Sequence, residues 1–216
     1  LGEFHATLTE MNPAELKIHL PEFTNFSARL TQFDQALGNS SLDRQALAKD
    51  EIAFAQAHRE LIQRFINIQP KLPIRIIHGD PKLSNFLFHH GKSSVAALID
   101  LDTLMPGTVL YDFGDMVRSF CNIHSEDDQG NGVFNAGVYQ NLKSAYLVNM
   151  RQHLTNLEFE SMELACAAVI LVQALRFLTD FLNGDCYYRI DFPMHNRQRA
   201  QNQICLLQGF LEEFAI

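Results

Sequence analysis

Hydrophobic positions along the chain follow two rhythms. Phe26, Leu30, Phe33 and Leu37 recur at helical spacing, with Asn25 as the candidate N-cap and Gly38 as the stop. Leu47, Phe54, Leu61, Phe65 and Ile68 form a second stripe. It predicts one long helix from about Ser40, where Ser40 and Asp43 make a capping-like pattern, to about Ile68. Core packing explains this stripe more simply than a partner-binding role. Further helices are predicted over residues 111–120, 138–153, 157–182 and 195–214, and the third is apolar on nearly every face between Leu164 and Leu175. Such a helix needs cover on all sides.

The second rhythm is short and strand-like. Ile74-Arg75-Ile76-Ile77, Phe86-Leu87-Phe88 and Val95-Ala96-Ala97-Leu98-Ile99 are brief apolar runs bounded by turn residues, and residues 89–94 suit a hairpin turn. Nothing before Ile74 reads as a sheet. The expected fold is α+β and mainly helical, one lobe over residues 1–216 carrying a small β-ribbon, with no linker, internal repeat or low-complexity tract.

At 216 residues, 47% hydrophobic and 19% charged, the chain can bury a sizeable core. Its net charge of −8 and lack of a basic cluster argue against a nucleic-acid partner. The N-terminus lacks the basic start and apolar core of a signal peptide. The longest apolar run, residues 164–172, is too short to span a bilayer, so no membrane partner and a cytoplasmic location are expected. Cys121, Cys166, Cys186 and Cys205 form no C-x-x-C pair; reduced and mostly buried thiols are expected, with Cys186 a candidate for exposure. His89-His90 reads as a solvated pair in a turn.

The ribbon carries the chemistry. His78-Gly79-Asp80-Pro81-Lys82-Leu83-Ser84-Asn85 is followed by Ile99-Asp100-Leu101-Asp102. An Asp, an Asn five positions on and a further Asp fifteen beyond stand in the order of a base and two Mg²⁺ ligands in kinase-type phosphoryl transfer. Such transfer demands positioning and charge neutralisation rather than covalent chemistry. In this reading Asp80 accepts the acceptor's proton, Lys82 steadies the transferred phosphate, and Asn85 and Asp100 give Mg²⁺ hard oxygen ligands. The ordinary reading is turn chemistry, since Gly-Asp and Asp-Pro pairs are common in loops. Strands running in and out of the segment favour the chemical reading.

Residues 78–120 resemble the aminoglycoside phosphotransferase and choline kinase superfamily, whose members carry a His-x-Asp-x-x-x-x-Asn loop and a later Ile-Asp. The runs Ile99-Asp100-Leu101-Asp102-Thr103-Leu104-Met105-Pro106-Gly107, Tyr111-Asp112-Phe113-Gly114-Asp115 and residues 175–185 are similar to N-acetylhexosamine 1-kinases. The resemblance implies the C-terminal lobe of a kinase-like fold, with ATP and Mg²⁺ as cofactors and a small-molecule sugar as substrate. It implies Asp80 as base, Asn85 and Asp100 as metal ligands, and Asp102 near metal or substrate. His78 and Asp112 take supporting roles, Asp112 bracing the loop from below, and Arg176 and Tyr187 belong to the sugar pocket. Gly79 stands where several relatives have Asn. Asp112 also has a purely structural reading, as an anion in the first turn of a helix.

Arg176 is open to two readings from spacing: an i,i+4 contact with Asp180, or a guanidinium pointing into a cleft. The phosphate-covering loop and Lys of a nucleotide-binding small lobe are absent from the expected elements. The Gly-rich stretch Gly130-Asn131-Gly132-Val133-Phe134-Asn135 lies after the motifs and reads as a loop tip beside the charged run 125–128. The first residue is Leu1 rather than Met, as in a fragment, a processed product or one lobe of a split protein. A separate or missing N-terminal lobe is therefore an expected partner, and the chain alone is expected to be a poor kinase or none. The alternatives are a non-catalytic sugar- or partner-binding module and, less well supported, a metal-dependent hydrolase, for which one Asn and spaced Asp residues are too sparse a ligand set.

Overall fold

The computed structural model describes residues 1–18, 20–92, 94–128 and 131–216. Among these, ten α-helices accompany two short antiparallel β-pairs. The first helix, α1 (Gly2–Leu8), was not foreseen from the pattern; α2 (Phe26–Asn39) was, and Asn25 caps it by accepting from the Ala28 amide at 3.0 Å. Gly38 lies inside α2 rather than ending it.

The predicted long helix over residues 40–68 is three helices: α3 (Leu42–Leu47), α4 (Lys49–Ala57) and α5 (Arg59–Ile68). The cap is Ser41, accepting from the Arg44 amide, rather than Ser40. The breaks fall at Ala48 (φ −108°, ψ 22°) and His58 (φ −102°, ψ 7°). A straight helix of that length would extend about 40 Å. The two bends instead let α4 reach the last two helices of the chain while α5 turns Leu61, Ile62 and Phe65 into the core.

β1 (Arg75–Ile77) pairs with β4 (Met105–Gly107), Ile77 opposite Met105, and β2 (Phe86–Phe88) pairs with β3 (Val95–Leu98), Phe86 opposite Leu98. β4 had no sequence signal, because Met-Pro-Gly reads as a turn; it forms because β1 offers it a partner. The hairpin turn between β2 and β3 includes Ser93, which lies outside the described residues, as does Gly130 of the Gly-rich stretch.

Beyond the ribbons come α6 (Val109–Phe120), α7 (Ala136–Met150), α8 (Asn156–Glu160), α9 (Met162–Leu182) and α10 (His195–Phe214). The helix expected over 157–182 breaks at Ser161 into α8 and α9. α9 is the central post, packed by α2, α5, α6 and α10. Its length and hydropathy are enough to cross a membrane, but 78% of the most apolar stretch is buried inside the fold, as befits a core helix. Gly114 lets α6 come close to α9, since a Cβ there would lie 2.9 Å from a Val169 methyl. Arg75 of β1 is locked to the fully buried Glu158 at 2.7 Å, and Glu158 also closes the capping box of α8 with Thr155. Cys121 and Cys166 are buried, Cys205 is partly buried and Cys186 is exposed.

Candidate functional site

The site is built on the turn that leaves β1. Gly79 sits at φ +87°, a region L side chains rarely adopt, and a Cβ there would lie 2.6 Å from the Thr103 carbonyl. With Gly in place, the backbone folds over Asp112. That carboxylate is fully buried in the first turn of α6, where Oδ2 accepts from the His78 amide at 2.6 Å and Oδ1 from the Gly79 amide at 2.9 Å. β4 and Thr108, which caps α6, bring it there.

A third donor reaches Asp112 from the start of the chain. His5 Nε2 donates to Oδ2 at 2.9 Å, while Nδ1 meets the Tyr146 hydroxyl at 2.9 Å. Burial, then the charges of Asp112 and Glu158, push Tyr146 well above its ordinary pKa, so its hydroxyl keeps a proton to donate. Spacing offered no role for His5: nothing local links it to a carboxylate 107 residues away.

His78 is fully buried and ties the loop to the ribbon. Its Nε2 donates to the Ile99 carbonyl at 3.0 Å, its Nδ1 accepts from the Asp80 amide at 3.3 Å, and its carbonyl accepts from Thr103 Oγ1 at 2.7 Å. The Ile99 amide in turn donates to the Asn85 carbonyl at 2.9 Å. Ile99 is thus held on both polar groups of its backbone by the 78–85 loop, which fixes where Asp100 begins.

Asp80 is partly exposed. Lys82 Nζ lies 2.6 Å from its Oδ2, and Asn85 Nδ2 donates to its carbonyl at 2.8 Å and to Oδ2 at 3.2 Å. Burial works against the charge of Lys82, but its hydrogen bond to Asp80 and the fields of Asp80, Asp100 and Asp115 outweigh this and raise its pKa. The side chains of Asp80, Lys82 and Asn85 therefore converge, the Asp112 carboxylate and the His78 ring hold the backbone beneath them, and Lys82 feels the charge of Asp100. Asp100 and Asp102 are exposed, Asp100 in a left-handed backbone conformation (φ 65°).

Mg²⁺ needs oxygen donors and retains waters and phosphates. The residues fit such an ion: Asn85 spends its amide nitrogen on Asp80, which leaves Oδ1 without a partner among the described residues, and the Asp100 carboxylate has no hydrogen-bond partner there. No group of three or more His, Cys, Asp or Glu is assembled to hold a metal among the described residues. The donor set is accordingly one amide and one or two carboxylates, suited to an ion that arrives with phosphate oxygens.

A polar cavity of about 650 Å³ opens beside the loop, lined by Lys82, Ser84, Arg118, Asn122, Glu126 and Gln203 among others. Gln203 Oε1 is buried there without a partner. Arg118 joins Asp115 at 2.7 Å and Glu126 at 2.7 Å. Burial raises the Asp115 pKa despite Arg118, and its Oδ2 has no hydrogen-bond partner. Asp115 belongs to the Tyr111–Asp115 run but had no role assigned to it, nor had Arg118, although their i,i+3 spacing on α6 was a signal for the pair.

A model of the phosphotransferase enzyme family, of the aminoglycoside phosphotransferase and choline kinase-like superfamily, matches residues 1–152. The chain belongs to this family. The match covers the whole of the 78–102 stretch, His5, and α6 with Asp112 and Asp115. The mainly helical fold with small antiparallel sheets is compatible with the α+β kinase-like architecture.

Arg176 and Tyr187 stand apart from the cavity beside Lys82. They line a second cavity of about 410 Å³ between α2 and the C-terminal end of α9. Of the two readings from spacing for Arg176, the pair with Asp180 is overturned. Asp180 is engaged elsewhere, by the backbone amides of Cys186, Tyr187 and Tyr188 and by Asn196 Nδ2, so the i,i+4 pair does not form. Arg176 instead hydrogen-bonds Gln173 at 3.0 Å and lies between the rings of Phe23 and Tyr188.

Proposed function

We propose that this chain is the catalytic lobe of an ATP- and Mg²⁺-dependent small-molecule phosphotransferase that phosphorylates a sugar hydroxyl. The observation that carries the reading is the Asp80 carboxylate, held between Lys82 at 2.6 Å and Asn85 at 3.2 Å on a loop clamped from beneath by Asp112. Family membership supports the reaction class. The resemblance of residues 99–107 and 175–185 to N-acetylhexosamine 1-kinases supports an N-acetylhexosamine or similar hexose as acceptor.

In this reading the acceptor hydroxyl lies against Asp80, which takes its proton as the oxygen attacks the terminal phosphorus of ATP and ADP leaves. Lys82, whose raised pKa keeps it cationic, guides the phosphoryl oxygens. Asn85 and Asp100, with Asp102 nearby, would hold Mg²⁺, which would offset phosphate charge when bound. Arg176 and Tyr187 recognise the sugar from the cavity that they line, and the polar cavity beside Lys82 adds donors and acceptors from Ser84 and Asn122. His78 and Asp112 hold the loop in register. The setting is proposed to be cytoplasmic.

The β2–β3 ribbon presents Leu87, Phe88 and Val95 about half-exposed, next to Ile99 and Leu101. This apolar edge supports a nucleotide-covering lobe as the working partner. It is equally the observation that favours the second reading, a sugar- or partner-binding module without turnover. Sugar-dependent ADP release, measured with the nucleotide-covering lobe supplied, separates the two. The kinase reading requires Asp80→Asn to abolish release while leaving the circular-dichroism spectrum and melting unchanged. Sugar binding with no ADP release from the wild-type chain and lobe would establish the binding module instead.

A further inference from the structure

The cavity between α2 and the end of α9 has a charge pattern that a neutral sugar does not explain. Arg29 and Arg176 both line it, and neither has a carboxylate partner among the described residues. Arg29 spends its terminal nitrogens on Gln32 at 2.8 Å and on the carbonyls of Glu22 and Phe23, which leaves Nε buried without a partner. Arg176 gives one hydrogen bond to Gln173 and stacks on Phe23 and Tyr188, and its remaining N–H groups have no hydrogen-bond acceptor among the described residues. Burial, then the like charge of Arg176, push the Arg29 pKa down. Arg176 differs: burial works against its charge, but Tyr188, Tyr111, Tyr187 and Asp115 outweigh burial and raise its pKa. The cavity wall thus holds two guanidinium groups to which an anion between them would add the missing carboxylate partner.

Asp180, the one carboxylate lining the cavity, does not serve as that anion. Its oxygens already accept from three backbone amides and Asn196, bonds that fix the Tyr187–Tyr188 segment as the cavity wall. Tyr187 presents a ring that is 74% exposed at the rim, suited to stacking on a sugar face, and Gln35, Asn39 and Asn183 provide side-chain amides around it. A volume of about 410 Å³ accommodates a hexose bearing one further group.

We infer that this cavity binds a sugar carrying an anionic substituent, a carboxylate or a phosphate monoester, clamped between Arg29 and Arg176 with the ring against Tyr187. The unbonded N–H groups of Arg176 and the second Nη1 hydrogen of Arg29 can donate to the oxygens of either substituent. The inference rests on the proposed function only in taking the cavity as part of sugar recognition; its test is equilibrium binding, which needs no turnover, so it can fail while phosphoryl transfer stands, and the reverse.

Isothermal titration of the chain with glucose, glucuronate and glucose 6-phosphate supplies the test. At least one anionic probe should bind about tenfold or more tightly than glucose, and the preference should shrink as salt rises. The stronger of the two anionic probes identifies the substituent. Arg29→Gln and Arg176→Gln should each remove most of the preference, whereas Arg29→Lys should keep part of it. Arg176 also packs between two rings, so Arg29→Gln is the decisive variant should Arg176→Gln lose its fold. Equal affinity for glucose and both anionic sugars, no binding of any of the three, or an anionic preference that survives Arg29→Gln would overturn the inference.

Discussion

Replacing Asp112 with Asn removes a charge and almost no volume, which isolates the clamp beneath the 78–85 loop. Three N–H donors converge on the carboxylate: the amides of His78 and Gly79 and the Nε2 of His5, at 2.6, 2.9 and 2.9 Å. An Asn amide has one accepting oxygen, so its NH₂ must face at least one of these donors inside a site with no solvent access. A hydrogen bond to a charged group contributes about 1.5–3 kcal/mol, and a buried donor left unsatisfied costs about 1–3 kcal/mol. With two weakened bonds retained and one lost, the expected cost is roughly 2–4 kcal/mol. At about 2–4 °C per kcal/mol for a domain of this size, the melting temperature should fall by roughly 5–15 °C. Urea unfolding followed by circular dichroism reads the change as a shifted midpoint at constant slope. A variant within about 0.5 kcal/mol of wild type would show that Asp112 does not brace the loop, and the account of the site would lose its foundation.

Gly79→Ala should cost about 1–2 kcal/mol for the left-handed backbone alone, with more added by the approach of its Cβ to the Thr103 carbonyl, and should lower activity with it; an unchanged melting temperature would refute the argument. Glu163 sets a pH dependence. Burial raises its pKa, but hydrogen bonds from Lys143 and Tyr139 outweigh this and hold it below its ordinary value of 4.5. A depressed carboxyl contributes stability above the unfolded pKa and loses it as pH falls through the folded one. Glu163→Gln should therefore be less stable than wild type at pH 7, with the gap closing below about pH 4; a gap independent of pH between 7 and 3 would contradict it.

Local pattern revealed what local forces decide. The stripe from Phe26 to Phe33 with Asn25 before it forms the helix it predicts, and the apolar runs around residues 77, 87 and 97 form strands, because neighbours in sequence supply their periodicity and caps. The bends at Ala48 and His58 left no mark in composition, since they answer to the curvature of the core around α9. β4 is a strand only because β1 lies beside it, and α1 is short enough that its docking against α7 decides its fate.

The candidate site divides the same way. Residues 78–85 and 99–102 are legible because two nearby segments carry the full set of side chains. His5 on Asp112 is not, because that contact joins the first helix to the sixth. Arg29 beside Arg176 likewise joins α2 to α9, and Asp115 acquires its unsatisfied oxygen only from the packing around α6.

The central claim is that Asn85 and Asp100 face a common divalent ion next to Asp80. Paramagnetic broadening of backbone amide signals by dilute Mn²⁺ measures this on the chain as it stands. The account predicts broadening centred on residues 80, 85 and 100–102 that disappears in Asp100→Asn. Broadening centred on the acidic run at residues 125–128, or a pattern at residues 80–85 that persists in Asp100→Asn, would contradict it.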